Sequence, residues 1–166
     1  MFASLSSLSD LTPLTNWNIS KVQTMYGMFW GCSKFADLTP LTNWDVGNVT
    51  NMGMTFYACA CTDLTPLAGW QTQNVKNMSG TFRQCMSLTT LKGLSGWNTS
   101  NVVNMENMFY DCTKLTDASA INGWDINKVG SEPPYAFGSM FKNCSVHPTF
   151  TKRSGTWDNG TFTPTT

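Results

Sequence analysis

Five tryptophans set the frame for this chain. Trp17, Trp44, Trp70, Trp97 and Trp124 stand 27, 26, 27 and 27 residues apart, and Val22, Val49, Val75, Val102 and Val129 keep the same intervals. Phe29, Phe56, Phe82, Phe109 and Phe141 form a third column and Cys32, Cys59, Cys85, Cys112 and Cys144 a fourth, each with a last interval five residues longer. Four columns over five units do not align by chance, so any fold must be built by stacking one ~27-residue unit. The residue missing from the short unit falls between Cys59 and Cys61, and the five extra fall in 130–136; both places are loop-like.

Within a unit the apolar anchors run Trp17, Ile19, Val22, Met25, Phe29, Cys32, Phe35, Leu38, Leu41 and back to Trp44. Steps near three fit neither one long helix nor an alternating strand, but they fit a coil that closes on itself each unit. Met25, Met28, Phe29 and Cys32 share one face of a two-turn helix, with Asn51, Asn77 and Asn104, and Thr24 in the first unit, where an N-cap belongs. Trp44-Asp45-Val46 reads as a short strand stacking in parallel at about 4.8 Å per rung. The expected architecture is an α/β repeat solenoid over 1–147, a right-handed coil with one short parallel strand and one short helix per unit. Residues 148–166 are expected to form a cap, with a hairpin around Asn159-Gly160. Phe2, Leu5, Leu8, Leu11 and Leu14 lie 27 residues before Phe29, Cys32, Phe35, Leu38 and Leu41, so the chain begins inside a unit. That start reads as a piece cut from a longer array in preference to a natural start. It leaves an open N-terminal rung through which chains could associate end to end.

The run Trp-Asp-Val-x-Asn-Val-Thr-Asn-Met at 44–52 and the Met-Phe-x-x-Cys runs at 28–32 and 108–112 resemble the BspA-type leucine-rich repeat surface proteins. The resemblance spans roughly 1–147. It implies a leucine-rich-repeat-like solenoid, belonging to a longer exported protein and located outside the cell or at its surface, with adhesion or host-component binding as the commonly proposed role. It supplies no catalytic residues. The chain departs from the family pattern in showing no signal peptide, lipobox cysteine or wall-sorting tail.

Charge narrows the partners. Only 12% of residues are charged, ten of each sign, which argues against nucleic acid or an anionic membrane as main partner. No run approaches the ~18 apolar residues of a membrane span. Polarity comes instead from 15 Asn, 23 Thr and 15 Ser, short side chains suited to turning and capping a closely wound backbone.

The cysteine column, with Cys61 in the slot of Phe35, reads as buried thiols; Cys59-Ala60-Cys61 and a lone His147 do not make a zinc site. No metal and no cofactor are expected. Asn48, Asn77 and Asn98 sit in glycosylation sequons, yet their recurrence is better explained by amide bonds to neighbouring backbone. Thr55 and Thr81, substituting for Met28, and Thr72 and Thr99, for Ile19, mark slots expected to be less tightly buried. Acidic residues scatter over loop columns, so no general acid/base pair emerges and the chain is read as noncatalytic.

One column does not look structural. Trp30, Tyr57, Arg83, Tyr110 and Lys142 each follow a core phenylalanine and point outward, with Tyr26 beside the first. Such a ridge either stacks on itself to cover the helices, with Trp30 alternatively packing against an upstream unit, or binds a protein or glycan. The leading expectation is a binding or adhesion module using this ridge; the alternative is a structural spacer or self-assembling scaffold subunit.

Overall fold

The computed structural model describes residues 2–130 and 137–165; the insertion in the fifth unit falls almost wholly outside the described residues. Each unit bends where a short side chain accepts a backbone N–H two residues ahead. Asp10, Asp37, Asp63 and Asp117 receive the N–H of Thr12, Thr39, Thr65 and Ser119. Asn18, Asp45, Asn98 and Asp125 receive those of Ser20, Gly47, Ser100 and Asn127. Asn51, Asn77 and Asn104 receive those of Gly53, Ser79 and Glu106. These are side-chain turns of the kind Asn and Asp favour. The first set leads into one 3-10 turn per unit, Thr12–Leu14, Thr39–Leu41, Thr65–Leu67 and Ser119–Ile121, with Lys92–Leu94 entered from Thr90. A proline stands in the first three and presets their backbone angle.

The expected helix does not form; among the described residues there is no α-helix. In the segment meant to be helical, Met28, Trp30 and Cys32 donate to carbonyls three residues back, while Met25, Gly27, Phe29 and Gly31 donate to Asn51, Gly53, Thr55 and Tyr57 of the next unit at 2.8–2.9 Å. An α-helix would keep all these N–H groups to itself; here every second one ties a unit to its neighbour. The geometry requires left-handed residues four apart, Gly27 (φ 60°) and Gly31 (φ 73°) in the first unit, Asn107 (φ 55°) and Asp111 (φ 60°) in the fourth. The parallel strand at Trp-x-Val is also absent, because the turn from Asp45 to Gly47 bends the chain at once. Among the described residues parallel pairing is confined to isolated bridges, Thr24 with Asn51, Asn51 with Asn77, Asn77 with Asn104, and Thr90 with Asp117. The leucine-rich-repeat-like α/β solenoid is therefore replaced by stacked turns of irregular chain with 3-10 corners and one antiparallel hairpin.

The columns bury as the repeat implies. Phe29, Phe56, Phe82 and Phe109 stack with centroids 5.5–5.7 Å apart and planes within 12°. Trp44, Trp70, Trp97 and Trp124 each donate the indole N–H to a leucine carbonyl of the preceding unit, Leu14, Leu41, Leu67 and Leu94, at 3.0 Å. A buried indole N–H needs such a partner. Thr55, Thr72, Thr81 and Thr99 overturn the expectation of looser slots: all four are buried. Their hydroxyls donate to backbone carbonyls, Thr55 and Thr81 to Met52 and Met78 within their own turns and Thr72 and Thr99 to Asn98 and Asp125 of the next unit, which satisfies the polar group on burial.

At the C-terminus β1 (Gly155–Asp158) and β2 (Thr161–Pro164) form the expected hairpin around Asn159-Gly160. It closes the stack. Phe141 donates its N–H to the Gly160 carbonyl, Ser139 to the Thr161 hydroxyl, and Trp157 packs edge-on against Phe141.

Candidate binding face

The outer ridge follows from the turns just described. Each holds a core phenylalanine inward and throws the next residue out, so Trp30, Tyr57, Arg83, Tyr110 and Lys142 occupy equivalent places on successive units. The first four form one continuous stack. Trp30 meets Tyr57 edge to face at 5.4 Å and 66°. The Arg83 guanidinium lies between two tyrosines, 5.6 Å from the Tyr57 ring centroid and 4.6 Å from that of Tyr110, within cation–π range of both. Its Nε is buried with no acceptor among the described residues. Tyr57, Arg83, Tyr110 and Lys142 are half-buried, whereas Trp30 and Tyr26 are 41% and 50% exposed. Tyr26 lies across Gly53, its hydroxyl 3.3 Å from the Met54 sulfur.

Beside the stack runs a polar ladder that the repeat pattern did not point to. Asp111 accepts from Gln84 Nε2 at 3.2 Å and from Asn143 Nδ2 at 2.6 Å. All three residues have positive φ; Asp and Asn at two of these positions are the available signal.

The remaining polar columns turn inward to the backbone. Asn48, Asn74 and Asn101 donate their amides to Ser20, Gly47 and Gln73 carbonyls of the preceding unit at 2.7–2.8 Å. Cys32, Cys59, Cys85, Cys112 and Cys144 donate their thiols to Phe2, Phe29, Phe56, Phe82 and Phe109 carbonyls at 3.0–3.2 Å. Burial pushes the thiols of Cys32, Cys59, Cys85 and Cys112 above their ordinary range and that of Cys144 up to about 11. Protonated at neutral pH, these are poor nucleophiles. Cys61 lies with its sulfur 3.6 Å from that of Cys85 in the core. His147 stacks on Trp157 at 4.9 Å as part of the cap. Among the described residues no three of His, Cys, Asp and Glu converge as a metal site, and no helix is long and apolar enough to cross a membrane.

A family model described as a Mycoplasma protein of unknown function, DUF285, matches residues 1–91 and, a second time, 60–165. No curated protein and no solved structure matches the chain.

Proposed function

We propose that this chain, which belongs to the Mycoplasma protein family of unknown function DUF285, is a noncatalytic binding module whose outer ridge takes a protein or glycan ligand at the cell surface. The supporting observation is the ridge itself, an aromatic face with Trp30 exposed at one end and held from behind by Tyr57, Arg83 and Tyr110. Ligand contact is concentrated at Trp30 and Tyr26, because the faces of Tyr57 and Tyr110 are turned to Arg83 and less free to receive a sugar or side chain. Aromatic side chains that are already ordered lose little conformational freedom on binding. The repeat's placement at the cell surface, within a longer exported protein, follows the resemblance to BspA-type surface proteins.

The test is binding of the chain to arrays of glycans and host-type extracellular proteins, followed by Trp30→Ser. The substitution is expected to leave the melting temperature nearly unchanged, since the ring is exposed, and to weaken any captured ligand at least about tenfold, as loss of an aromatic anchor does. Array profiles identical for the two proteins would refute the ridge as the binding face.

A further inference from the structure

We propose that Cys61 and Cys85 are a cross-linking pair, joined as a disulfide between the second and third units when the chain folds in the presence of a small-molecule disulfide. Five of the six cysteines form the repeating column, and each gives its thiol to a phenylalanine carbonyl about one unit back at 3.0–3.2 Å. Cys61 stands outside that column. Its thiol is directed instead at the Cys85 sulfur, 3.6 Å away, and among the described residues this is the one hydrogen bond from sulfur to sulfur.

The repeat accounts for a thiol in the column but not at position 61. Phe35, Leu88 and Leu115 fill the same slot in other units and are buried. Cysteine is smaller than any of them and gives up apolar contact there, so packing supplies no reason for it. The second unit is also shortened by one residue just before it, between Cys59 and Cys61. The change of residue type and the change of length thus fall at the sulfur contact. Both side chains are wholly buried, and the two units are held in register beside them by the N–H groups of Phe56 and Ala58, which donate to the Thr81 and Arg83 carbonyls at 2.9 and 2.8 Å. A disulfide holds its sulfurs about 2.05 Å apart, so each has to move by about 0.8 Å from the present contact.

The step is a thiol–disulfide exchange. One of the two cysteines, as its thiolate, attacks a sulfur of R–S–S–R and expels one RS⁻, leaving a mixed disulfide; the other attacks the protein sulfur of that intermediate and expels the second RS⁻. The protein gives up two electrons and two protons, one S–S bond replaces another, and two R–SH leave. Burial pushes the Cys85 thiol above its ordinary range and closes it to the reagent, so exchange takes place while these units fold or open and not in the closed stack. Once formed, the bond is shut away from reductants by the same burial. It closes the loop 61–85 and adds a covalent tie to a joint otherwise made of hydrogen bonds and packing. The pairing does not depend on the ridge binding any ligand.

The reduced chain is equilibrated with reduced and oxidised glutathione in urea near its unfolding midpoint, returned to buffer, alkylated after denaturation and digested with trypsin. One link is expected, between peptide 35–76, which holds Cys59 and Cys61, and peptide 84–92, which holds Cys85. Fragmentation of the linked peptides should place it at Cys61. Cys59→Ala should keep the link, and Cys61→Leu, which copies the residue of Leu88 and Leu115, should abolish it. Urea unfolding of the oxidised chain should show the folded-to-unfolded ratio raised about a hundredfold, as closure of a loop of this length does, with no change on oxidation of Cys61→Leu. Six free thiols after equilibration, a link that leaves Cys61 or Cys85 free, or one that persists in Cys61→Leu would overturn the proposal.

Discussion

The two ends of the stack are treated differently. At the C-terminus a hairpin supplies the groups that a next unit would have supplied. Gly160 accepts from Phe141, Thr161 from Ser139, and Arg153 donates from Nη1 to the carbonyls of Ile126 and Val129 while lying 6.0 Å over Phe137. In the first unit Phe2 stacks on Phe29, and Phe2 and Ser4 donate their N–H groups to the Met28 and Trp30 carbonyls, while Trp17 is 42% exposed against 2–4% for the four later tryptophans. A unit of this repeat therefore completes itself only against a neighbour. Its indole, thiol, amide and every second N–H of its turns bond across the gap between units, so an end must be covered by other chain or left open.

That contrast can be broken by truncating the same column in two places. Trp70→Ala is expected to cost about 3–5 kcal/mol, since it removes a fully packed indole and one of the two hydrogen bonds to the Leu41 carbonyl, which keeps that from the Trp44 N–H. Trp17→Ala, at an exposed position of the first unit, is expected to cost less than about 1 kcal/mol. Urea unfolding reads both; equal losses would show that the first unit is as well packed as the third.

The capped end is tested by Arg153→Ala. Losing the donor to the Ile126 and Val129 carbonyls is expected to lower stability by about 1–3 kcal/mol. Arg153→Lys should restore only part of this, because a single ammonium cannot reproduce the planar fork.

The smallest expected effect is alkaline. Unfolded, the Cys144 thiol loses its proton near the ordinary 9.0; folded beneath the cap it holds the proton to about 11, through desolvation. Folded protein thus binds more protons than unfolded over that window, and stability falls as pH rises through it. In Cys144→Ala the decline between pH 9 and about 11 should be shallower; an unchanged slope would show that the cap leaves this thiol wet.

Much of the core is legible in the residue spacing alone. Phe29, Phe56, Phe82 and Phe109 share a column because they stack, and the hairpin at Asn159-Gly160 follows from local turn chemistry. The helix is mistaken because Met25, Met28, Phe29 and Cys32 have the same spacing on two successive three-residue turns as on one helical face. The distinguishing mark is the left-handed residue at every fourth place. Gly27, Gly31, Asn107 and Asp111 suit it, but Met54, Ala58 and Gln84 adopt the same φ without advertising it. Thr55 and Thr81 deceive in the opposite sense, since a hydroxyl looks exposed until the carbonyls that receive it are known.

The outer column shows the same division. Its members are identifiable from their place after each phenylalanine, yet nothing in the sequence says that Arg83 lies between Tyr57 and Tyr110 and leaves Trp30 and Tyr26 as the free aromatic surface.

Taken by itself, the sequence determined the repeat, the buried columns and the turn at the cap, all of which depend on side-chain type and spacing within a few residues. Only the tertiary structure decided where the backbone N–H groups go. They are divided between a residue's own turn and the next unit, a choice that depends on the presence of a neighbour about 27 residues away, and it is this choice that replaces helices and strands with stacked turns.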